Sequence, residues 1–155
     1  MDKGIEIHAD ILHRALLDKN IYLGNALVAL YIQCGAIAKA RAIFHELPQP
    51  DVVSWNTVIA GYNRVGDGRE ALCFLERMRQ EGFLADAVTL VCSLKACGSI
   101  KSSTKGRQIH AEIIKQGLLE KKIIVLGNAL IDMYAKCGML GKAGRLFQEL
   151  PMRDV

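Results

Sequence analysis

This chain of 155 residues holds only three prolines, so long stretches are free to be helical. No apolar run approaches the roughly 18–20 residues of a membrane-spanning helix. The longest candidate, Ile123 to Ile131, contains Gly127 and Asn128. No segment alternates apolar and polar residues as a half-buried strand does. There is no phosphate loop, no His-Glu-x-x-His and no dinucleotide fingerprint, and the His-x-Glu followed by Pro-Cys-x-x-Cys of zinc deaminases is missing. Five cysteines, an odd number without paired spacing, argue against a disulfide framework and for a reducing compartment. Asp2, Glu6 and Asp10 near the start fit neither a signal peptide nor an acid-poor transit peptide. These absences leave an all-α chain with no catalytic signature and no implied cofactor.

What is present is repetition. Asn25-Ala-Leu-Val-Ala-Leu-Tyr-Ile-Gln-Cys-Gly35 returns 103 residues later as Asn128-Ala-Leu-Ile-Asp-Met-Tyr-Ala-Lys-Cys-Gly138. Both copies continue through an Ala, a Phe and a Leu-Pro, at Ala40, Phe44, Leu47 and Pro48 and at Ala143, Phe147, Leu150 and Pro151. A looser copy runs from Asn56 through Tyr62 and Gly66 to Ala71. Reuse of one small unit at a fixed offset builds arrays rather than single-pocket folds. With 51% apolar and 23% charged residues the chain is globular. Its formal charge of +4 is uneven: residues 78–155 carry a net +5 and residues 1–77 a net −1. A basic half is compatible with a polyanionic partner, and equally with a solvated surface.

Apolar residues recur at three- and four-residue spacing, in the stripes Leu27, Val28, Tyr31, then Val58, Ile59, Tyr62, then Leu130, Ile131, Tyr134. That period predicts amphipathic helices. Gly35, Gly66, Gly98 and Gly138 are expected to end first helices in a left-handed turn. Asp67-x-x-Glu70 has capping-box spacing, and Ser102 to Thr104 offers N-caps to a helix carrying Ile109, Ile113 and Ile114. Pro48, Gly82, Gly117 and Pro151 are expected to close second helices. The expected plan is the second helix of a truncated long unit at 1–20, then helix pairs at 21–51, 52–86, 87–123 and 124–154. The leading piece echoes the long unit, since Lys3-Gly4-x-x-Ile7-His8-Ala9 matches Lys105-Gly106-x-x-Ile109-His110-Ala111. Neither end has the polar outer face of a terminal repeat, so the chain reads as a piece of a longer array.

Several phrases together resemble the pentatricopeptide repeat family, in its plant type that mixes short, standard and long repeats. They are Gly24-Asn-Ala-Leu-Val-Ala-Leu-Tyr-Ile-Gln-Cys-Gly35, Val53-Ser-Trp-Asn-Thr-Val-Ile-Ala-Gly-Tyr62, Leu94-Lys-Ala-Cys97 and Gln108-Ile-His-Ala111. The resemblance implies a right-handed α-solenoid of helix-turn-helix repeats whose groove binds single-stranded RNA, one base per repeat. It implies service in a mitochondrion or chloroplast, in C-to-U editing, splicing or transcript stability, with editing-factor proteins as further partners of a longer parent.

By that resemblance, bases are chosen by the fifth and last residues of each unit: Asn25 with Asp51, Asn56 with Asp86, and Asn128 with Asp154. The long unit offers Val91, with Lys122 or Ile123 at its end. The chemistry agrees. A carboxamide both donates and accepts, while an ionised Asp only accepts, so the pair matches uracil's carbonyls and ring N–H. Cytosine puts an acceptor where that N–H stood. Val91 has nothing to offer a base edge. Tyr22, Val53, Val88 and Val125 stand three residues earlier, on the same helix face, and the resemblance makes them the wedges between which bases stack. Arg64 and Lys136, late in first helices, are candidates for phosphate contact, which adds affinity without sequence information.

Plainer readings stand beside these. A recurring Asn can be a cap or a buried amide, the valines can be core, and Arg64 and Lys136 can be solvated charges. Cys34 and Cys137 read as packed thiols, with no partner at metal spacing. His8 and His110 read as fixtures of a repeated second helix, and Trp55, Tyr31, Tyr62 and Tyr134 as core. The alternative function is a protein-binding scaffold of helical repeats. Against it stand the mixed unit lengths and the absence of the Trp-x-x-Leu-Gly-x-x-Tyr pattern of tetratricopeptide repeats.

Overall fold

The computed structural model describes residues 20–121 and 123–150. Among them there are nine helices and no strand. They are α1 Ile21–Gln33, α2 Ile37–Glu46, α3 Val52–Arg64, α4 Gly68–Gln80, α5 Ala87–Ser99, α6 Ser103–Lys115, the short α7 Leu118–Lys121, α8 Ile123–Lys136 and α9 Leu140–Glu149. The short α7 was not expected from the sequence.

The helices pair as hairpins, α1 with α2, α3 with α4, α5 with α6 and α8 with α9. First helices also pack on one another in order, α1 on α3, α3 on α5 and α5 on α8. No comparable packing joins consecutive second helices among the described residues. Neighbouring units are therefore close along the row of first helices and spread along the row of second helices. The result is a stack of helical hairpins, an α-solenoid, with the first helices as its inner row.

One inner contact needs the absence of a side chain, and a second is tight. A Cβ on Gly61 would lie 2.2 Å from Ile32 Cδ1 of the preceding first helix. One on Gly98 would come within 3.0 Å of Lys136 Cδ and 3.6 Å of Met133 Cα. Gly98 is thus a buried residue inside α5, not the helix end that the sequence suggested. The left-handed position of this turn belongs to Lys101, at φ 55°. The other three turns do use glycine, with Gly35 at φ 74°, Gly66 at 84° and Gly138 at 76°. In all four the next residue's N–H reaches back over the turn, as in Ala36 to the Tyr31 carbonyl at 2.8 Å and Ser102 to that of Cys97 at 2.9 Å. This closing bond fixes the turn geometry whichever residue occupies the left-handed site.

The core lies between the two rows. Trp55 is fully buried against Phe44 at 4.8 Å and Phe83 at 6.1 Å between ring centroids, and Phe74 stacks on Tyr62 at 5.1 Å. Tyr31, Tyr62 and Tyr134 are all buried. Ile109 and Ile113 are buried as expected, but Ile114 points outward at 59% exposure. Asp67 caps α4 by accepting the Glu70 N–H at 3.1 Å. Ser102 precedes α6 but makes no side-chain cap bond.

Candidate nucleic-acid interface

Asp51 and Asp86 cap α3 and α5. Asp86 accepts the Thr89 N–H at 2.8 Å, and its own N–H donates to Thr89 Oγ1 at 3.2 Å. Asp51 does the same with Ser54, at 2.8 and 3.1 Å. These reciprocal boxes fix each carboxylate at the seam between two units, since the cap of one first helix stands beside the previous one. Sequence reading overlooked them, although Asp-x-x-Ser and Asp-x-x-Thr ahead of an apolar run were visible signals.

Across that seam stand the asparagines. Asn56 Nδ2 donates to both Asp86 oxygens, at 3.1 and 3.3 Å, and its Oδ1 accepts from the Thr89 hydroxyl at 2.6 Å. The Asn25 carboxamide stands near enough to Asp51 to help hold that carboxyl's pKa down. The fifth and last residues of two units are thus paired across a space shared by adjoining first helices. Burial pushes the Asp86 carboxyl up, but the Thr89 N–H and hydroxyl, the Asn56 carboxamide and the Val88 N–H outweigh it and hold the group below the usual carboxylate range. The balance at Asp51 is the same, with Ser54, Asn25 and Val53 opposing burial. Both are therefore acceptors only at neutral pH.

Asn25 is buried, Asn56 half-buried and Asn128 exposed, and none of them is a helix cap. Asp154, the expected partner of Asn128, lies outside the described residues, as do Lys122 and the side chain of Ile123. Val91 is half-buried and packs against the core, so the third unit brings no polar group to this position.

Three positions before these residues the side chains face solvent: Tyr22 is 79% exposed, Val53 60%, Val88 56% and Val125 56%. They do not belong to the core. One exposed apolar residue per unit, at the same helical position, lines the seams beside the Asn/Asp pairs.

Further along the same face runs a groove. Asn56, Ala60 and Arg64, then Val91, Lys95 and Ser99, then Asn128, Asp132 and Lys136 are spaced by four residues, which keeps each set on one side of its helix. Arg64, Lys95 and Lys136, with Asn63, Ser99 and Asp132, line a depression of about 420 Å³. It joins, through Ala60 and Arg64, a smaller one of about 220 Å³ lined by Ala29, Ile32 and Gln33. The two sequence-identified cations thus share one concavity, and Lys95 is a third that sequence reading missed. Its position four residues after Val91 was the signal. Lys136 is tethered to Asp132 at 2.8 Å. Among the described residues no group of three or more His, Cys, Asp or Glu could hold a metal ion.

The comparisons with known proteins agree with this architecture. One family model, described as a PPR repeat family, matches residues 50–99, and another, described as a PPR repeat, matches 128–155, together half of the chain. The chain is 40% identical over 152 residues to an Arabidopsis thaliana pentatricopeptide repeat-containing protein named as chloroplastic, covering 98% of this chain and 24% of that protein. It is 37% identical over 151 residues to one named as mitochondrial, covering 97% and 14%. A third from the same plant is 36% identical over all 155 residues, 22% of its own length. The chain spans about a quarter or less of each of these relatives.

Proposed function

Because this chain belongs to the pentatricopeptide repeat family, we propose that it binds single-stranded RNA along its inner row and selects bases at the seams between units. The units are 21–51, 52–86, 87–123 and 124–154, following a partial one at 1–20, and their mixed lengths fit the plant type that alternates short, standard and long repeats. In this reading Asn25 with Asp51, Asn56 with Asp86, and Asn128 with Asp154 prefer uracil, and Val91 reads little. Tyr22, Val53, Val88 and Val125 stack the bases, while Arg64, Lys95 and Lys136 meet phosphates. The chain binds and does not catalyse. Its service is in mitochondrial or chloroplast RNA metabolism, as part of editing, splicing or transcript stability, alongside editing-factor proteins.

The observation that carries this reading is the Asn56–Asp86 pair, a donor beside an ionised acceptor, at 3.1 Å. It sits between two exposed valines and above a cation-lined groove. Unpaired bases are commonly read by stacking plus hydrogen bonds to their edges.

Anisotropy titrations with labelled uridine-rich and adenosine-rich oligonucleotides test it. The uridine-rich strand should bind more tightly, and binding should weaken with salt. Arg64→Ala should flatten the plot of log affinity against log salt by about 0.7, the value for one phosphate contact on a single strand. Equal affinity for both strands, or no binding at low salt, rejects the reading.

A further inference from the structure

Two of the Asn/Asp pairs are built differently on their far side. At the seam that pairs Asn56 with Asp86, the Thr89 hydroxyl of the next unit lies 2.6 Å from Asn56 Oδ1 and 2.9 Å from Asp86 Oδ1. The hydroxyl has a single proton for these two acceptors, and the shorter contact, to an Asn56 Oδ1 that can only accept, takes the larger share of it. Thr89 therefore grips the oxygen end of the carboxamide while Asp86 grips the nitrogen end. Reversing the amide would set its oxygen against a carboxylate, so its orientation is fixed by its partners.

At the seam that pairs Asn25 with Asp51, the corresponding hydroxyl is that of Ser54. It donates to Asp51 Oδ1 at 2.9 Å and closes the same capping box. Yet Asn25 Oδ1, on a residue only 9% exposed, has no hydrogen-bond partner. The nitrogen end of this carboxamide is held by Asp51 and the oxygen end is not. An unmet buried acceptor is costly, and nothing holds the oxygen end of this side chain as Thr89 holds that of Asn56.

We infer that Thr89 is a positioning residue for base selection: it holds the Asn56 carboxamide with one N–H turned outward beside the Asp86 carboxylate, and the 21–51 unit, lacking that hold, discriminates less sharply. This rests on the RNA-reading role proposed above. A donor and an acceptor frozen side by side match one nucleobase edge and reject another whose donor and acceptor are exchanged. A carboxamide held at its nitrogen end alone keeps the same order of groups but swings more widely, so its match is looser. Selectivity between similar ligands comes from leaving the wrong one with unpaired buried groups, and that penalty shrinks where the reader is held at one end alone.

The test is a scan of a uridine oligonucleotide in which one base at a time becomes cytosine, bound by the wild-type chain and by Thr89→Val and Thr89→Ser. The wild type should show its largest cytosine penalty at one position, assigned to Asn56 by its disappearance in Asn56→Ala. Thr89→Val should reduce that penalty by about three- to tenfold, the range for one lost hydrogen bond, and leave the other positions unchanged. Thr89→Ser, which keeps the hydroxyl, should retain it. Circular dichroism confirms that each variant is folded, since the valine also removes part of a cap. A Thr89→Val scan identical to a wild-type scan that does prefer uracil overturns the inference alone. A wild-type scan without any cytosine penalty overturns the reading of the pairs and this inference with it.

Discussion

The inner and outer rows of helices are made of the same chain and obey opposite rules. On the outer row, units that stand apart are tied by long charged side chains: Arg79 of α4 pairs with Glu112 of α6, and Lys105 of α6 with Glu76 of α4 at 2.9 Å. On the inner row, helices pack directly, through glycines where the backbones crowd, and apolar side chains such as Tyr22 and Val53 stay in solvent. Charge outside is what a globular surface offers anyway. Apolar residues left more than half exposed at one fixed position per unit bury little on folding, so stability alone does not account for them. Stability is made between the rows, spacing outside, and recognition is read on the inside.

That division can be broken first at the layer the rows share. Trp55→Ala, beneath both, should cost about 3–5 kcal/mol of folding stability, seen in chemical denaturation, and should abolish RNA binding only where it unfolds the protein. Tyr22→Ala should do the reverse. Base stacking on an aromatic ring is worth about 1–3 kcal/mol, and since the ring is exposed, affinity should fall while the melting temperature stays within error. Glu112→Gln sharpens the outer side of the comparison. Its pair with Arg79 is only partly shielded from water, so stability should drop by less than about 1 kcal/mol, with base preference untouched. A change of base preference in Glu112→Gln, or of melting temperature in Tyr22→Ala, would merge what the structure separates.

Much of this was legible in the residues. The three- and four-residue period gave the helices, because a stripe such as Val58, Ile59 and Tyr62 has to be buried against something. Repetition gave the hairpin stack. What periodicity does not reveal is which side of a helix meets water, so Val53 and Val88 read equally well as core until their exposure was seen. The turn after α5 lies at Lys101 and not at Gly98; glycine serves close approach as well as left-handed turns, and sequence does not distinguish the two. Thr89 was passed over because its importance lies in a hydroxyl reaching Asn56, 33 residues away. Only the stacking of one hairpin on the next creates that contact.

Lys101 has a consequence of its own. A side chain at φ 55° is held there against a preference of roughly 1–2 kcal/mol, whereas the equivalent corners at Gly35, Gly66 and Gly138 carry no such load. The corner between α5 and α6 is thus the one most ready to fray, and it exposes a lysine to solvent. In limited digestion trypsin should nick the native protein after Lys101 before it cuts after Arg64, Arg69 or Lys136 beside the glycine corners, and Lys101→Gly, which removes the site, should abolish that nick. Lys101→Arg, which keeps both the cleavage site and the strain, should be nicked as fast as the wild type.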